Sequence, residues 1–110
     1  MALKLPVPEG SRYEVVFRAS SQSGGSALLT VGWVPKHGSP VPPVQDTSIA
    51  AGTFDSINGI VPSINVARRM EIRVDLPDGT GFGTLTLRIN GEDHSKETLS
   101  TDTTWTSLVG

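Results

Sequence analysis

Hydrophobic residues recur at every second position in four stretches of the chain, which are residues 12–20, 27–34, 69–76 and 84–89. In the first stretch, Tyr13, Val15 and Phe17 fall on one side, whereas Glu14 and Arg18 fall on the other. Successive side chains of a β-strand point to opposite faces of the sheet, so this period of two predicts strands with one buried face. An amphipathic helix would instead repeat its apolar positions about every 3.6 residues.

Glycine, proline and asparagine mark the connections between these stretches. Residues 77–81 are predicted to turn the chain between the third and fourth stretches as a β-hairpin. Residues 21–25 are predicted to form another hairpin loop, between the first and second stretches. Asn90-Gly91 predicts a further turn, followed by a polar loop over residues 92–96.

Three further strand signals complete the pattern: Thr53-Phe54, Ile60-Val61 beyond a break at Asn58-Gly59, and residues 103–109. The chain therefore carries about seven to eight short strands, and its 110 residues suffice for one domain. Short strands at this spacing are typical of sandwiches and barrels. We predict an all-β fold, a single antiparallel β-sandwich or jelly roll over residues 1–110.

Two segments lie outside the regular pattern. In residues 1–8, Leu3, Leu5 and Val7 alternate with lysine or proline, which is typical of an edge strand or an N-terminal arm. Residues 35–48 contain four prolines, which excludes a helix or a central strand and predicts a long Pro-rich loop. That loop is either a surface loop or an extended arm that lies across a neighbouring subunit. The candidate partner or ligand contacts in the two segments are Leu3, Leu5, Val7, Lys36, His37, Val41 and Val44.

Charge and composition limit the classes of partner and of chemical site that we expect. The formal net charge is −2, and Arg68-Arg69 is the only adjacent pair of Lys or Arg residues, so we expect no nucleic-acid partner. Anionic membranes are disfavoured for the same reason, and no run approaches the roughly 20 apolar residues of a membrane helix. Residues 1–8 lack the apolar run of a signal peptide. The absence of cysteine excludes disulfides, thiolate zinc sites and thiol nucleophiles.

The residues that could carry chemistry are few. A nucleophile requires a neighbouring base, and the two histidines, His37 and His94, both fall in segments predicted to be loops. We expect them to be solvated surface residues, and we expect no cofactor and no enzymatic activity. The run Glu92-Asp93-His94 is either a small ion site or a plain polar hairpin loop.

Two runs resemble a known family. PEGSRYEVVFRA at residues 8–19 resembles the "pGxxYxvxfxa" strand of galactose-binding-like jelly rolls, and DTTWT at residues 102–106 resembles their "xxxWt" strand. These jelly rolls include many carbohydrate-binding modules and accessory domains of phage particles. The family has further core strands beyond that tryptophan. The resemblance therefore implies either a different topology here, or a sheet completed by the N-terminal strand or by a neighbouring subunit.

Three functions fit these features. The first is a structural, self-associating domain, an accessory virion protein such as a head-decoration, neck or tail component of a phage, with adhesion as its mechanism. The second is a carbohydrate-binding module in which Trp33 and Trp105 stack on sugar rings, although core packing is the competing role for both indoles. The third is an accessory domain of a longer enzyme. The first predicts a homo-oligomer or contacts with other virion proteins, with Trp105 as a further candidate contact.

Overall fold

The computed structural model describes residues 5–20, 25–37, 44–76 and 83–110, and these contain eight strands and no helix. The strands are β1 (Arg12–Ala19), β2 (Ala27–Val34), β3 (Gln45–Ile49), β4 (Phe54–Ile60), β5 (Arg69–Asp75), β6 (Gly83–Ile89), β7 (Glu92–Leu99) and β8 (Thr103–Leu108). The prediction of an all-β fold with seven to eight strands is confirmed.

The strands form two four-stranded antiparallel sheets that pack face to face as a sandwich. One sheet has the order β4-β1-β6-β7 and the other has the order β3-β2-β5-β8. The apolar residues that alternate along the sequence fill the space between the sheets, with Phe17, Leu29, Ile72 and Leu85 all at most 1% exposed. Burial of this one face of every central strand supplies the main driving force for folding.

Five strands match the sequence pattern closely. β1, β2, β5, β6 and β8 begin and end within two residues of the predicted stretches. The predicted turn at Asn90-Gly91 is confirmed as the hairpin between β6 and β7, with φ of 52° at Asn90 and 82° at Gly91. Two successive left-handed residues match the twist of the flanking strands, and Asn and Gly tolerate that conformation best.

The predictions of β-hairpins at residues 21–25 and 77–81 are wrong. β5 pairs with β2 and β8, whereas β6 pairs with β1 and β7, so residues 76–82 connect the two sheets. Residues 20–26 likewise connect β1 in one sheet to β2 in the other. Alternation shows that each strand has one buried face. It does not show whether the next strand lies beside it or across the core.

Three segments without a clear apolar pattern are strands. β7 covers the predicted polar loop of residues 92–96, β4 runs straight through Asn58-Gly59, and β3 occupies the end of the predicted Pro-rich loop. All three lie at sheet edges, where fewer side chains are buried and alternation is weak. The prediction that the Pro-rich segment holds no central strand is confirmed for residues 44–48, since β3 is an edge strand; residues 38–43 lie outside the described part.

The glycine at position 59 is required by a neighbouring side chain rather than by a turn. It lies opposite Tyr13 on β1, and a Cβ atom at position 59 would lie 3.0 Å from the Tyr13 hydroxyl oxygen. The tyrosine ring therefore covers the glycine across the ladder, an arrangement in which an aromatic side chain compensates for the missing one. A glycine that indicates a break in the sequence thus belongs to a continuous strand.

Candidate functional site

Trp105 lies in the core. Its side chain is fully buried, and its Nε1–H donates to Oε2 of Glu97 at 3.0 Å. Trp105 belongs to β8 and Glu97 belongs to β7, so the bond joins the two sheets along one side of the sandwich. A fully buried indole offers no face to a partner or to a sugar ring, and Trp105 therefore leaves the set of candidate contacts.

Trp33 is half-buried at one end of the sandwich, where β1 begins and β2 ends. Its ring meets Tyr13 edge to face, with ring centroids 5.3 Å apart, and the Tyr13 hydroxyl donates to Oε1 of Gln45 at 3.2 Å. Burial raises the pKa of Tyr13, and a hydrogen bond from Trp33 offsets part of that shift. This aromatic pair crosses between the sheets, so it acts first as packing.

The described part of the N-terminal arm docks on its own domain. Val7 is fully buried, forms a parallel bridge with Val109, and donates its N–H to the Leu108 carbonyl. The Ser107 hydroxyl donates to the Leu5 carbonyl at 2.8 Å. Val7 therefore serves the core rather than a partner, whereas the Leu5 side chain beside it is 62% exposed.

A shallow groove opens at the same end of the molecule, and we call it the arm patch. It is lined by Lys36, Ile64, Arg68, Arg69, Leu108 and Val109. Leu108 is 64% exposed, and Val66 in the adjoining turn is 65% exposed. Among the described residues, the three cations of the patch form no salt bridge. Two acids lie near the patch: Glu71, two residues from Arg69 on β5, forms no salt bridge among the described residues, and Glu9 accepts a hydrogen bond from the Ile64 N–H.

The structure gathers several predicted contacts at this end and leaves others undescribed. Lys36 lines the arm patch, and the exposed His37 follows it directly. Val44 lies at the start of β3, on the opposite side of the same end, and is 39% exposed. Leu3 and Val41 lie outside the described residues. Sequence reasoning missed Leu108 and Ile64; it noted Arg68-Arg69 only as a sparse basic pair.

Two aspartates lie close together at the far end of the sandwich. Asp75 ends β5, and Asp102 precedes β8, with its Oδ1 accepting the Leu76 N–H at 2.7 Å. Arg73 reaches Asp75 only at 3.9 Å, and both side chains are about half exposed. Both ends carry charges of both signs, so the two aspartates form a local acidic pair, close enough for Asp102 to bond the residue after Asp75.

The run Glu92-Asp93-His94 forms the start of β7. Asp93 pairs with Arg88 at 3.1 Å, and Arg88 also reaches Glu14 at 3.2 Å, so the acid belongs to a charged row across three strands. His94 sits at a register shift, with Nδ1 3.0 Å from the Ser95 hydroxyl and a buried Nε2 that has no partner among the described residues. No three potential ligands gather as a metal site within the described ranges.

A second groove, on the outer face of the β4-β1-β6-β7 sheet, is lined mainly by polar residues, among them Arg12, Glu14, Asn58 and Arg88. The Glu14–Arg88 ion pair spans its floor. Exposed ion pairs of this kind contribute little to stability. Among the described lining residues, Tyr13 is the one aromatic residue, and it is only 4% exposed.

No family model, no curated protein and no solved structure matches this chain. No helix in the described ranges is long and apolar enough to cross a membrane.

Proposed function

We propose that this domain is a non-enzymatic structural subunit that acts by adhesion, and that the arm patch is the surface by which it binds a neighbouring copy. The observation that carries the proposal is the gathering of Leu5, Val66 and Leu108, each more than 60% exposed, at the end where three unpaired cations lie. Apolar residues ringed by charge are typical of protein contact sites.

Asp75 and Asp102 at the far end supply the complementary surface in this proposal. A contact between the arm patch of one copy and this acidic pair of the next is heterologous, and such contacts build rings or filaments rather than a closed pair. Opposite charges also steer the approach and fix the orientation of the two copies. This arrangement suits a subunit that repeats along or around a larger particle.

An accessory virion protein, such as a head-decoration, neck or tail component of a phage, is the specific form that we propose for this subunit. Its support is the resemblance of residues 8–19 and 102–106 to jelly-roll domains of that kind, together with the arm patch. The carbohydrate-binding alternative relied on two exposed tryptophans. It now has only the half-buried Trp33, because Trp105 is fully buried.

Sedimentation velocity over a wide concentration range tests the proposal. We expect the wild-type chain to form species that grow with concentration and that dissociate as salt screens the charges. Leu108→Asp and Arg69→Glu should each abolish the salt-sensitive growth. The matched control is Lys96→Glu, which reverses an exposed cation on β7, outside the arm patch and away from Asp75 and Asp102.

A wild-type chain that stays monomeric at about millimolar concentration, the limit of weak specific binding, would overturn the proposal. So would association that the Lys96→Glu control abolishes as fully as the patch variants do. Tryptophan fluorescence titrated with oligosaccharides provides the separate arm for the sugar alternative, since a response that Trp33→Phe removes would favour that function instead.

A further inference from the structure

The four edge strands of the sandwich differ in how well their free backbone groups are protected from pairing with another chain. An edge strand exposes a row of unpaired N–H and C=O groups, which another chain can bind by adding a strand. β8 is covered over part of its length by Leu5 to Val7, and β7 carries lysine, inward glutamate and a register shift. Register shifts and charges of this kind discourage pairing. β3 is only five residues long.

β4 has few of these protections. It is seven residues long, pairs only with β1 among the described residues, and shows no register shift. It contains neither proline nor lysine. Its first and last residues, Phe54 and Ile60, are 59% and 57% exposed. Long, flat edges with exposed apolar residues are sites where strands add.

The hydrogen bonds just outside β4 fix which of its backbone groups face the free edge. Val61 donates to the Ser11 carbonyl and accepts from the Gly10 N–H, and the Thr53 carbonyl accepts from Ala19, so odd-numbered residues point at β1. Antiparallel ladders alternate, so the even-numbered residues point away. The Ser56 N–H confirms this direction, because it bonds the Asp55 carboxylate at 2.8 Å instead of β1.

In β4, FDSINGI, the even-numbered residues on either side of Ile57 match in character: Phe54 and Ile60 are both hydrophobic, and Ser56 and Asn58 are both small and polar. If two copies pair antiparallel about that residue, Phe54 lies opposite Ile60 of the second copy, and Ser56 lies opposite its Asn58. All four positions are even-numbered, so their N–H and C=O groups face each other. The lone charge, Asp55, lies opposite a glycine rather than its own twin, so no like charges meet.

From this match we propose that β4 is a homodimerisation edge, at which a second copy adds across a two-fold axis through Ile57 to form a continuous eight-stranded sheet. An aromatic residue opposite a β-branched one is a favourable cross-strand pair. The contact is isologous and closed, so it is distinct from the arm patch and does not depend on it.

Asp55 sets the strength of this contact. Its carboxylate occupies the Ser56 N–H that the second copy needs, and it also accepts from the Thr47 hydroxyl of β3. Pairing must release Asp55 from Ser56, so the wild-type dimer is weak. Removal of the side chain leaves Ser56 free to bond the second copy, and we expect Asp55→Ala to tighten the dimer about tenfold.

Amide hydrogen exchange combined with sedimentation tests the inference in the Leu108→Asp background, which removes the arm-patch contact. With rising concentration, the amides of Phe54, Asn58 and Ile60 should exchange more slowly, while a dimer forms that salt does not dissociate. Phe54→Lys should abolish both effects and Asp55→Ala should enhance them. Leu28→Lys, which also replaces an exposed apolar residue with lysine but on the outer face of the other sheet, should alter neither.

Ser56→Pro is a second variant, which removes the Ser56 N–H and with it the bond to Asp55. Its lost N–H points away from β1, so the native ladder keeps its bonds while the dimer loses one. Unchanged exchange of the even-numbered amides at the highest concentration would overturn the inference. Protection that also extends to β7 amides would overturn the two-fold register. Failure of Leu108→Asp to alter wild-type growth would instead count against the proposed function and leave the β4 result to stand separately.

Discussion

The two sides of the sandwich close in different ways. On the β7/β8 side, the Trp105 indole bonds Glu97 across the sheets, and Val7 lies against the end of β8. On the β3/β4 side, the sheets are joined by the Thr47–Asp55 hydrogen bond, and β4 keeps a free backbone edge. Buried side chains hold the two sheets together on the first side, whereas one exposed carboxylate joins them on the second. Most of the stability should therefore reside on the first side, and the proposed strand-to-strand dimer, which is separate from the arm patch, should form on the second.

Trp105→Ala provides the largest test of this comparison. Truncation of a fully buried tryptophan typically costs about 3–5 kcal/mol. That loss is comparable to the whole stability of a small domain. We expect the variant to unfold at a much lower urea concentration, or to be unfolded in buffer. Trp33→Ala, at a half-buried position, is the control and should cost clearly less; equal losses would show that the β7/β8 side is not special.

Removal of residues 1–8 provides the next test. It deletes the fully buried Val7 side chain, whose burial contributes about 1.5–3 kcal/mol, and it uncovers the end of β8. We expect a lower urea midpoint and a greater tendency to aggregate. Leu5→Asp keeps the arm in place and should leave the midpoint nearly unchanged, because Leu5 is mostly exposed. The truncation by itself therefore cannot report on partner binding.

The smallest effect is expected from acid on the β3/β4 side. The hydrogen bond from Thr47 and that from the Ser56 N–H lower the pKa of Asp55 below its ordinary value of 3.8. A carboxyl whose pKa is lower in the folded state contributes stability above its unfolded pKa and loses it as the pH falls through the folded value. Thr47→Val should move the Asp55 pKa back toward 3.8 in a carboxyl-carbon NMR titration. An unmoved pKa would exclude the Thr47 bond as its cause.

The sequence predicts the central strands of the two sheets far better than the edge strands. β1, β2, β5 and β6 each bury one face, so their period of two appears directly in the sequence. β7 escapes this reasoning because residues of both its faces are polar, including the inward Glu97. Its role depends on a tryptophan that the topology brings from another sheet, which local sequence does not encode.

The candidate surface shows the same division. Alternation in residues 1–8 leaves an edge strand and an arm open, and it does not reveal that Val7 forms an isolated bridge and turns inward onto Val109. Trp105 was weighed between core and contact, and only the pairing of β8 with β5 decides for the core. Leu108 went unnoticed because a single exposed leucine at a strand end has no sequence signature. It becomes informative once Arg68 and Arg69 are seen beside it.

The bridge between Val7 and Val109 also has a consequence for how the chain reaches its native state. It closes a loop that spans most of the sequence, and such distant pairings are slow because the chain entropy is lost before any contact compensates for it. Trp105 and its strand are synthesised after the other seven described strands, so the core beneath them stays open until then. We therefore expect this domain to fold after translation of residue 109, in milliseconds to seconds, and to depend on chaperones until that moment more than a helical protein of equal size.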